Sequence, residues 1–247
     1  MKSPVIDCHA QWGSGESGAQ LRTPVDYSLD VLLARATEAG IDQSCIMAPR
    51  NDFYEGKNKE VARLCEKHPG QLIGFAVHSP QREKGRLKPM LVEEVRVMGL
   101  KGVKCDGHPT RELLDVVGEF KIVVIYYPDP DEGINAGRMY HNMARAYPQV
   151  NFIIPHLGSF RSLVWWAHME TIDLVKRYPN VFAETSGVVA HDYLKRAAQE
   201  LPANKILFGS YAPELDPRVE IYAVKLLSLP EPQEAKVLGG NIRHLLG

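Results

Sequence analysis

Two kinds of hydrophobic pattern alternate along the chain. Short apolar runs are continuous, as expected of strands buried on both faces of a parallel sheet, and the longer segments between them carry apolar residues at helical spacing. A phrase recurs in which a helical segment ends, proline follows and an apolar run begins, as in EKHPGQLIGFAV, RAYPQVNFIIP, KRYPNVFAETS and QELPANKILFGS. Because proline lacks the amide hydrogen and disfavours helical geometry in the residue before it, each phrase predicts a turn from helix to strand.

Eight strands are predicted from the apolar runs, each followed by a helix. The strands are Val5 to Cys8, Ser44 to Met47, Leu72 to Val77, Gly102 to Cys105, Ile122 to Tyr126, Asn151 to Pro155, Val181 to Glu184 and Ile206 to Phe208. The helices are Ser28 to Ala39, Asn58 to Lys67, Met90 to Met98, Arg111 to Phe120, Arg138 to Ala146, Val164 to Arg177, Ala190 to Gln199 and Arg218 to Leu227.

The count of strands and the length together select an architecture. A chain of 247 residues suits a closed barrel of roughly 250 residues, so the sequence predicts a (β/α)8 TIM barrel with a single domain over residues 1–247. The alternative is an open, doubly wound sheet. Such sheets usually have a glycine-rich phosphate turn after the first strand, where this chain has DCHAQWG.

Composition and charge narrow the range of partners. With 45% hydrophobic and 24% charged residues and a formal net charge of -1, neither disorder nor nucleic-acid binding is predicted. No apolar stretch reaches signal-peptide or membrane-helix length, and the four cysteines lack C-x-x-C spacing, as in reduced cytosolic proteins. The prediction is a cytoplasmic protein with a small-molecule substrate or ligand, no membrane partner, and a second copy of the chain as one candidate partner.

Polar residues cluster where the predicted strands end, which is where βα loops build the active sites of such barrels. Asp7, His9 and Gln11 alternate along the first strand and should therefore share a face. The later strands end in His78, in Lys104 and Asp106, in Tyr126 and Tyr127, in His156, in Glu184 and Ser186, and in Ser210 and Tyr211. The sequence thus predicts one shared cavity lined by titratable groups. His78, which no motif supports, is interpreted as structural.

Several stretches resemble, in chain order, the amidohydrolase-related branch that includes aminocarboxymuconate semialdehyde decarboxylase and related decarboxylases and lactonases. IDCHAQ resembles its first-strand D-x-H-x-H, LKGVKCDG its fourth strand and IIPHLGS its sixth-strand H-l-G-G. YPNVFAETSG, ANKILFGSYAP and KVLGGNIRHLLG are similar to its later motifs. The resemblance covers almost the whole chain and implies a barrel hydrolase or lyase that acts on a small, carboxylated molecule.

The resemblance also implies one divalent metal, commonly zinc, held by two first-strand histidines, a fifth-strand histidine and an eighth-strand aspartate. Of that set only His9 is present, because the other positions hold Gln11, Tyr126 and Tyr211. An amide oxygen and neutral phenols are poor zinc ligands. The cofactor prediction is therefore either none or a single zinc ion, with His9 and His156 as its candidate ligands in a partly lost site.

Candidate roles follow from these positions. His9, His156, Lys104 and Glu184 are predicted to be catalytic, and the residues predicted to bind substrate are Gln11, Asp106, Tyr126 and Tyr211. Lys104 has three interpretations: a carbamylated metal bridge as in binuclear amidohydrolases, a contact for a substrate anion, or a structural ion pair with Glu184.

The sequence supports two functional hypotheses. One is an amidohydrolase-like hydrolase or lyase, and the other is an inactive homologue that serves as a ligand-binding or interaction protein. A purely structural interaction module is a third class, which would have a filled pocket and an exposed apolar face.

Overall fold

The computed structural model describes residues 3–13, 28–49, 54–126 and 136–247. Within these ranges eight strands form one sheet in chain order, and every paired neighbour is parallel. The strands are β1 (Ile6–Gln11), β2 (Gln43–Met47), β3 (Leu72–His78), β4 (Gly102–Cys105), β5 (Val123–Tyr126), β6 (Asn151–Ile154), β7 (Val181–Glu184) and β8 (Ile206–Leu207). Seven of the eight lie within one residue of the predicted bounds, because buried strands are fixed by their continuous apolar runs, and β1 extends three residues further than predicted, to Gln11.

Backbone hydrogen bonds between β1 and the segment after β8 close the sheet into a barrel. The Cys8 amide donates to the Phe208 carbonyl at 3.0 Å, the Tyr211 amide to His9 at 2.7 Å, and the Gln11 amide to Ala212 at 2.7 Å. The predicted (β/α)8 architecture is confirmed. The closure also brings the ends of β1 and β8 side by side.

A helix follows each strand on the outside of the barrel. These are α1 (Leu29–Ala39), α2 (Tyr54–Lys67), α3 (Leu87–Arg96), α4 (Arg111–Phe120), α5 (Ala136–Ala146), α6 (Trp165–Arg177), α7 (His191–Glu200) and α8 (Pro217–Lys225). A final helical stretch comprises α9 (Glu231–Ala235), a π-helical turn and α10 (Asn241–Leu246). The helix α3 begins earlier than predicted since Pro89 lies in its first turn, where a missing amide hydrogen costs no helical hydrogen bond.

Local signals explain where several helices begin and end. The Thr110 hydroxyl accepts a hydrogen bond from the Leu113 amide at the start of α4, and the Asp216 carboxylate accepts one from Arg218 at the start of α8. Gly40 ends α1 with a φ of 73°, a left-handed conformation that glycine adopts without strain. These caps fix the βα units that carry the loops at the mouth of the barrel.

The hydrophobic core has two layers. Side chains inside the barrel form one cluster, which includes Cys8, Phe75, Ile125 and Leu207. A larger cluster lies between the strands and the helices, and it contains Tyr126. Over the part of the chain that the structure describes, no helix is long and apolar enough to cross a membrane.

Candidate active site

Asp7 anchors the first strand against the end of the eighth. The Ser210 amide donates to Asp7 Oδ1 at 2.9 Å, the Ser210 hydroxyl donates to Oδ2, and the His9 amide also donates to Oδ1. Burial raises the pKa of Asp7 to about 6, although these hydrogen bonds oppose the shift. The pairing of β1 with β2 shifts register between Asp7 and Ala10. An irregularity of this kind rotates the residues that follow it. The side chains of His9 and Gln11 therefore do not simply share the face of Asp7, as strict alternation would require.

Glu184, at the end of β7, is a fully buried carboxylate surrounded by donors. It accepts hydrogen bonds from the Ser186 amide, from the His156 amide at 3.0 Å and from the Ser186 hydroxyl at 3.0 Å. Gly209 makes room for it, because a Cβ at position 209 would lie 2.3 Å from Glu184 Oε1. Such a shell of donors satisfies the oxygens of a carboxylate whose burial without partners would be costly.

His9 lies between Glu184 and Lys104. Its Nδ1 is 3.4 Å from Glu184 Oε2, and its Nε2 is 3.3 Å from Lys104 Nζ. We call these three residues the Glu184–His9–Lys104 relay. An ammonium group can only donate, so Nε2 is the acceptor and Nδ1 carries the proton that faces Glu184. Burial, reinforced by the charge of Lys104, holds the pKa of His9 well below its ordinary value, so the ring is neutral at pH 7.

Lys104 is the partly exposed member of the Glu184–His9–Lys104 relay. It is half-buried on β4, with Nζ 5.5 Å from the centre of the Tyr211 ring. Burial lowers the pKa of Lys104 to about 8, while the negative charges of Glu214, Asp106 and Glu184 oppose that shift. Near neutral pH a substantial fraction of Lys104 is therefore a free amine, unlike an ordinary surface lysine.

His156 follows β6 and packs near His9, their ring centres 5.3 Å apart. Its Nδ1 is 3.0 Å from the Ser186 carbonyl and 2.9 Å from the Ser186 hydroxyl, an arrangement that orients the ring. Burial lowers the pKa of His156 to about 3 despite the opposing charge of Glu184, so this imidazole is also neutral at pH 7. The two buried histidines can therefore accept protons without first losing one.

Tyr211 packs edge-on against both histidine rings. Its ring centre is 4.9 Å from that of His9 and 4.8 Å from that of His156, and Phe160 lies 5.1 Å away. Tyr211 has a φ of 55° and His156 a φ of 58°, a region that costs non-glycine residues free energy. Such outliers concentrate at functional sites, because only a surrounding structure that over-determines them maintains the strain.

Not every predicted residue joins this cluster. The structure brings together His9, His156, Lys104, Glu184 and Tyr211, and it buries Gln11 with its Nε2 lacking a hydrogen-bond partner among the described residues. Asp106 accepts a hydrogen bond from the Tyr54 hydroxyl at 2.7 Å.

Tyr126 lies elsewhere, in the layer between strands and helices. Its hydroxyl is 3.1 Å from His108 Nδ1, and its carbonyl accepts from the Tyr140 hydroxyl. The structure therefore does not bring it to His9, because its neighbour Ile125 takes the inward position on β5. Tyr127 lies outside the described residues.

Three contributors were not assigned roles from the sequence. Ser186 connects Glu184 to His156, and the only signal for it is its position two residues after Glu184. Gly209 appears in the strand-end phrase FGS but carries no chemistry of its own. Glu220, on α8, accepts a hydrogen bond from the Gly187 amide at 2.9 Å, and burial raises its pKa to about 8.

Comparisons with known proteins now identify the family. The amidohydrolase family model matches residues 6–247. The chain belongs to the amidohydrolase family. This confirms the resemblance that the strand-end motifs indicated.

Solved structures of the same fold include several amidohydrolases. A 5-carboxyvanillate decarboxylase from Sphingomonas paucimobilis is 14% identical with a TM-score of 0.75, the match covering 99% of each chain. A dihydroxybenzoic acid decarboxylase from a Polaromonas species, with bound manganese and 2-nitroresorcinol, is 17% identical with a TM-score of 0.74 over 100% of this chain and 97% of that chain. A Pseudomonas putida protein described as a candidate 2-pyrone-4,6-dicarboxylic acid hydrolase is 19% identical, with a TM-score of 0.77 and coverage of 100% and 98%. No curated protein matches the sequence. At these identities the likeness shows the fold.

The metal positions that the amidohydrolase resemblance implies do not fit an ion in this chain. Gln11 offers a neutral amide, Tyr126 lies in the outer layer, and Tyr211 is a neutral phenol packed between two rings. One donor atom from each of His9, His156 and Glu184 does lie within 4.8 Å of the others. However, both His9 nitrogens already face protein groups, and His156 Nδ1 faces Ser186. Metal binding by His9 and His156 stays a prediction that a titration can decide.

We expect the purified amidohydrolase to contain far less than one equivalent of zinc or manganese. The Gln11→His, Tyr211→Asp double variant should gain metal, since it restores an imidazole and a carboxylate at two family positions and aspartate tolerates the positive φ at position 211 better than tyrosine. Elemental analysis after dialysis against each metal measures both proteins. One tightly held equivalent in the unaltered protein, lost in His156→Asn, would instead place an ion at His9, His156 and Glu184.

Proposed function

We propose that this amidohydrolase is an enzyme that acts on a small carboxylated molecule as a hydrolase or a decarboxylase, with the family's mononuclear metal site partly lost. The observation that carries the proposal is the Glu184–His9–Lys104 relay, with His9 Nδ1 3.4 Å from Glu184 and Nε2 3.3 Å from Lys104. A base held in one tautomer by a carboxylate, with its second nitrogen directed at a titratable group, is a recurrent catalytic arrangement.

The chemistry of the pocket favours an anionic substrate. Lys104 is half-buried and carries positive charge in most molecules at pH 7, and the Gln11 amide nitrogen is a buried donor without a described partner. A substrate carboxylate can accept a hydrogen bond from either group, and a buried donor gains more from being paired than an exposed one does. Decarboxylases of aromatic acids and a candidate dicarboxylic acid hydrolase among proteins of the same fold agree with this substrate class.

Proton transfer is assigned to the two neutral imidazoles. His9 Nε2 is the general base, and Glu184, acting through Nδ1, stabilises the imidazolium that forms when Nε2 takes up a proton. His156, fixed by Ser186 and in edge contact with Tyr211, is the second proton-transfer group. The proposal places the enzyme in the cytoplasm with a small molecule as its partner, and the formal net charge of -1 does not favour a polyanionic partner.

An inactive homologue that binds a ligand is the second candidate. It is favoured by one observation: Tyr211 occupies the position where the resemblance implies a catalytic aspartate, and it packs against both histidines rather than leaving space for a metal-bound water. This candidate retains the pocket and the carboxylate-binding donors but has no turnover.

A panel of substrates separates the two candidates. Lactones, aromatic acids and muconate-type acids are incubated with the enzyme, with and without added zinc or manganese, and products are followed by chromatography and by release of carbon dioxide. We expect turnover that falls by about 10²–10⁴-fold in His9→Asn and that is unchanged in the exposed control His244→Asn. Binding of carboxylated compounds without turnover of any of them would establish the inactive homologue.

A further inference from the structure

We propose that Lys104 is a covalent nucleophile that forms an imine with the carbonyl carbon of a small oxo acid. The inference rests on the proposed function, because it takes the small carboxylated substrate from there and specifies its reactive group. It starts from the geometry of the relay: an orienting carboxylate, a base and an amine in succession, at 3.4 Å and 3.3 Å. Activated nucleophiles have this order of groups.

The position of Lys104 suits attack on a bound molecule. It is on the barrel strand β4, where its neighbours Val103 and Cys105 belong to the outer layer, so alternation directs Lys104 inward, and it remains partly exposed while His9 and Glu184 are buried. Its Nζ lies over the Tyr211 ring, which limits the directions available to the amine. A molecule entering the mouth of the barrel therefore meets the lysine before it meets the rest of the relay.

The contact with His9 supports the same role. The proton that Lys104 must lose has an acceptor in contact, the lone pair of His9 Nε2. The charged groups that oppose deprotonation are Glu214, Asp106 and Glu184.

The chemistry of an amine nucleophile indicates which class of carbonyl compound Lys104 can turn over. Attack on an ester or lactone would leave Lys104 as a stable amide and stop turnover, whereas attack on a ketone or aldehyde is reversible. The amine adds to the carbonyl carbon, and the oxygen of the adduct takes up one solvent proton and leaves as water, which gives an iminium ion. In a 3-oxo acid the bond to the carboxylate then breaks, carbon dioxide leaves, and the electron pair moves into the iminium to form an enamine.

The cycle closes without an oxidant or reductant. The enamine carbon takes the proton that Lys104 gave to His9 Nε2, and water hydrolyses the resulting iminium to release the decarboxylated ketone and Lys104 in its ammonium form. One solvent proton is consumed per carboxylate converted to carbon dioxide. Glu184 does not touch the substrate in this scheme and is a positioning residue, because it acts through His9 Nδ1.

Borohydride trapping tests the imine directly. The full chain is incubated with acetoacetate, or with pyruvate as a 2-oxo acid probe, and then with sodium borohydride, and the reduced adduct is located by peptide mass spectrometry. We expect labelling at Lys104 at least ten times that at any other lysine. Lys104→Arg keeps the charge and should remove this label, whereas the exposed control Lys101→Arg should retain it. No label at Lys104, or equal label across surface lysines in both variants, overturns the inference.

If turnover depends on His9 but no adduct forms at Lys104, the proposed function is retained and the imine is excluded. If there is neither turnover nor an adduct, the proposed enzymatic function and the imine are both excluded.

Discussion

Glu184→Gln is expected to lower kcat by about 10²–10⁴-fold, with a small change in KM. The carboxylate holds the Nδ1 proton of His9 and compensates the imidazolium charge, and a neutral amide does neither. The amide would also turn its NH2 group toward at least one of the donors that now point at Glu184, namely the Ser186 amide and the His156 amide. We expect a further loss of about 1–3 kcal/mol in the free energy of unfolding.

Two comparisons show whether the Glu184 effect is catalytic. Ser186→Ala removes one hydroxyl donor and should retain most of the stability, with a smaller loss of kcat. Glu200→Gln changes a partly exposed acid that pairs with Arg196 at 2.6 Å and with Lys176 on the helix surface, and it should leave kcat unchanged. Rates from steady-state kinetics and stabilities from urea denaturation are needed for each protein. A Glu184→Gln enzyme within about threefold of the unaltered kcat would refute the role of the relay.

His78 is expected to make the fold less stable as the solution becomes alkaline. Its Nδ1 is 2.9 Å from Glu83 and its Nε2 is 2.6 Å from Glu94, which also accepts a hydrogen bond from Asn58 at 2.7 Å. Burial alone would lower the pKa of His78, but the two carboxylates outweigh it and raise the pKa to about 9. Because the folded pKa exceeds the unfolded value of 6.5, this stabilisation is complete below pH 6.5 and is lost as the pH rises through about 9.

The expected size of the His78 effect is roughly 3 kcal/mol in the free energy of unfolding between pH 6 and pH 10. The hydrogen bonds among His78, Glu94 and Asn58 join β3 to α2 and α3. His78→Gln should therefore remove the loss of stability between pH 6 and pH 10 that His78 causes, and it should destabilise the protein by about 3–5 kcal/mol at neutral pH. Urea denaturation at several pH values measures both, with His244→Gln as the exposed control. An unchanged slope in His78→Gln would show that other groups cause the alkaline loss.

The interpretation of His78 as structural illustrates what a strand-end pattern can predict. Its position alone resembles those of His9 and His156, yet its two ring nitrogens face Glu83 and Glu94 and not the mouth of the barrel. The sequence did not predict these partners of His78, because Glu94 lies on α3 and meets His78 only when that helix packs against β3. The distinction came from the absence of a family motif around His78, and the contacts agree with it.

Tyr126 shows the opposite case. As the last residue of β5 it was predicted to bind substrate, but the side-chain alternation of the strand puts it in the outer layer, against Tyr140 and His108. A four-residue strand (β5 spans Val123–Tyr126) with apolar residues on both faces carries no period-two signal, so the sequence does not reveal which residues face inward.

What the sequence determined by itself was the barrel, the family and the strand ends at which chemistry could occur. These follow from local rules, because buried parallel strands need continuous apolar runs and prolines punctuate the helix-to-strand turns. Only the tertiary structure decided that Glu184, His9 and Lys104 form one relay, that Ser186 and Gly209 shape it, and that Tyr126 lies in the outer layer. Those residues are distant in the chain, and their contacts depend on barrel closure, on the register shift in β1 and on burial, which no local pattern encodes.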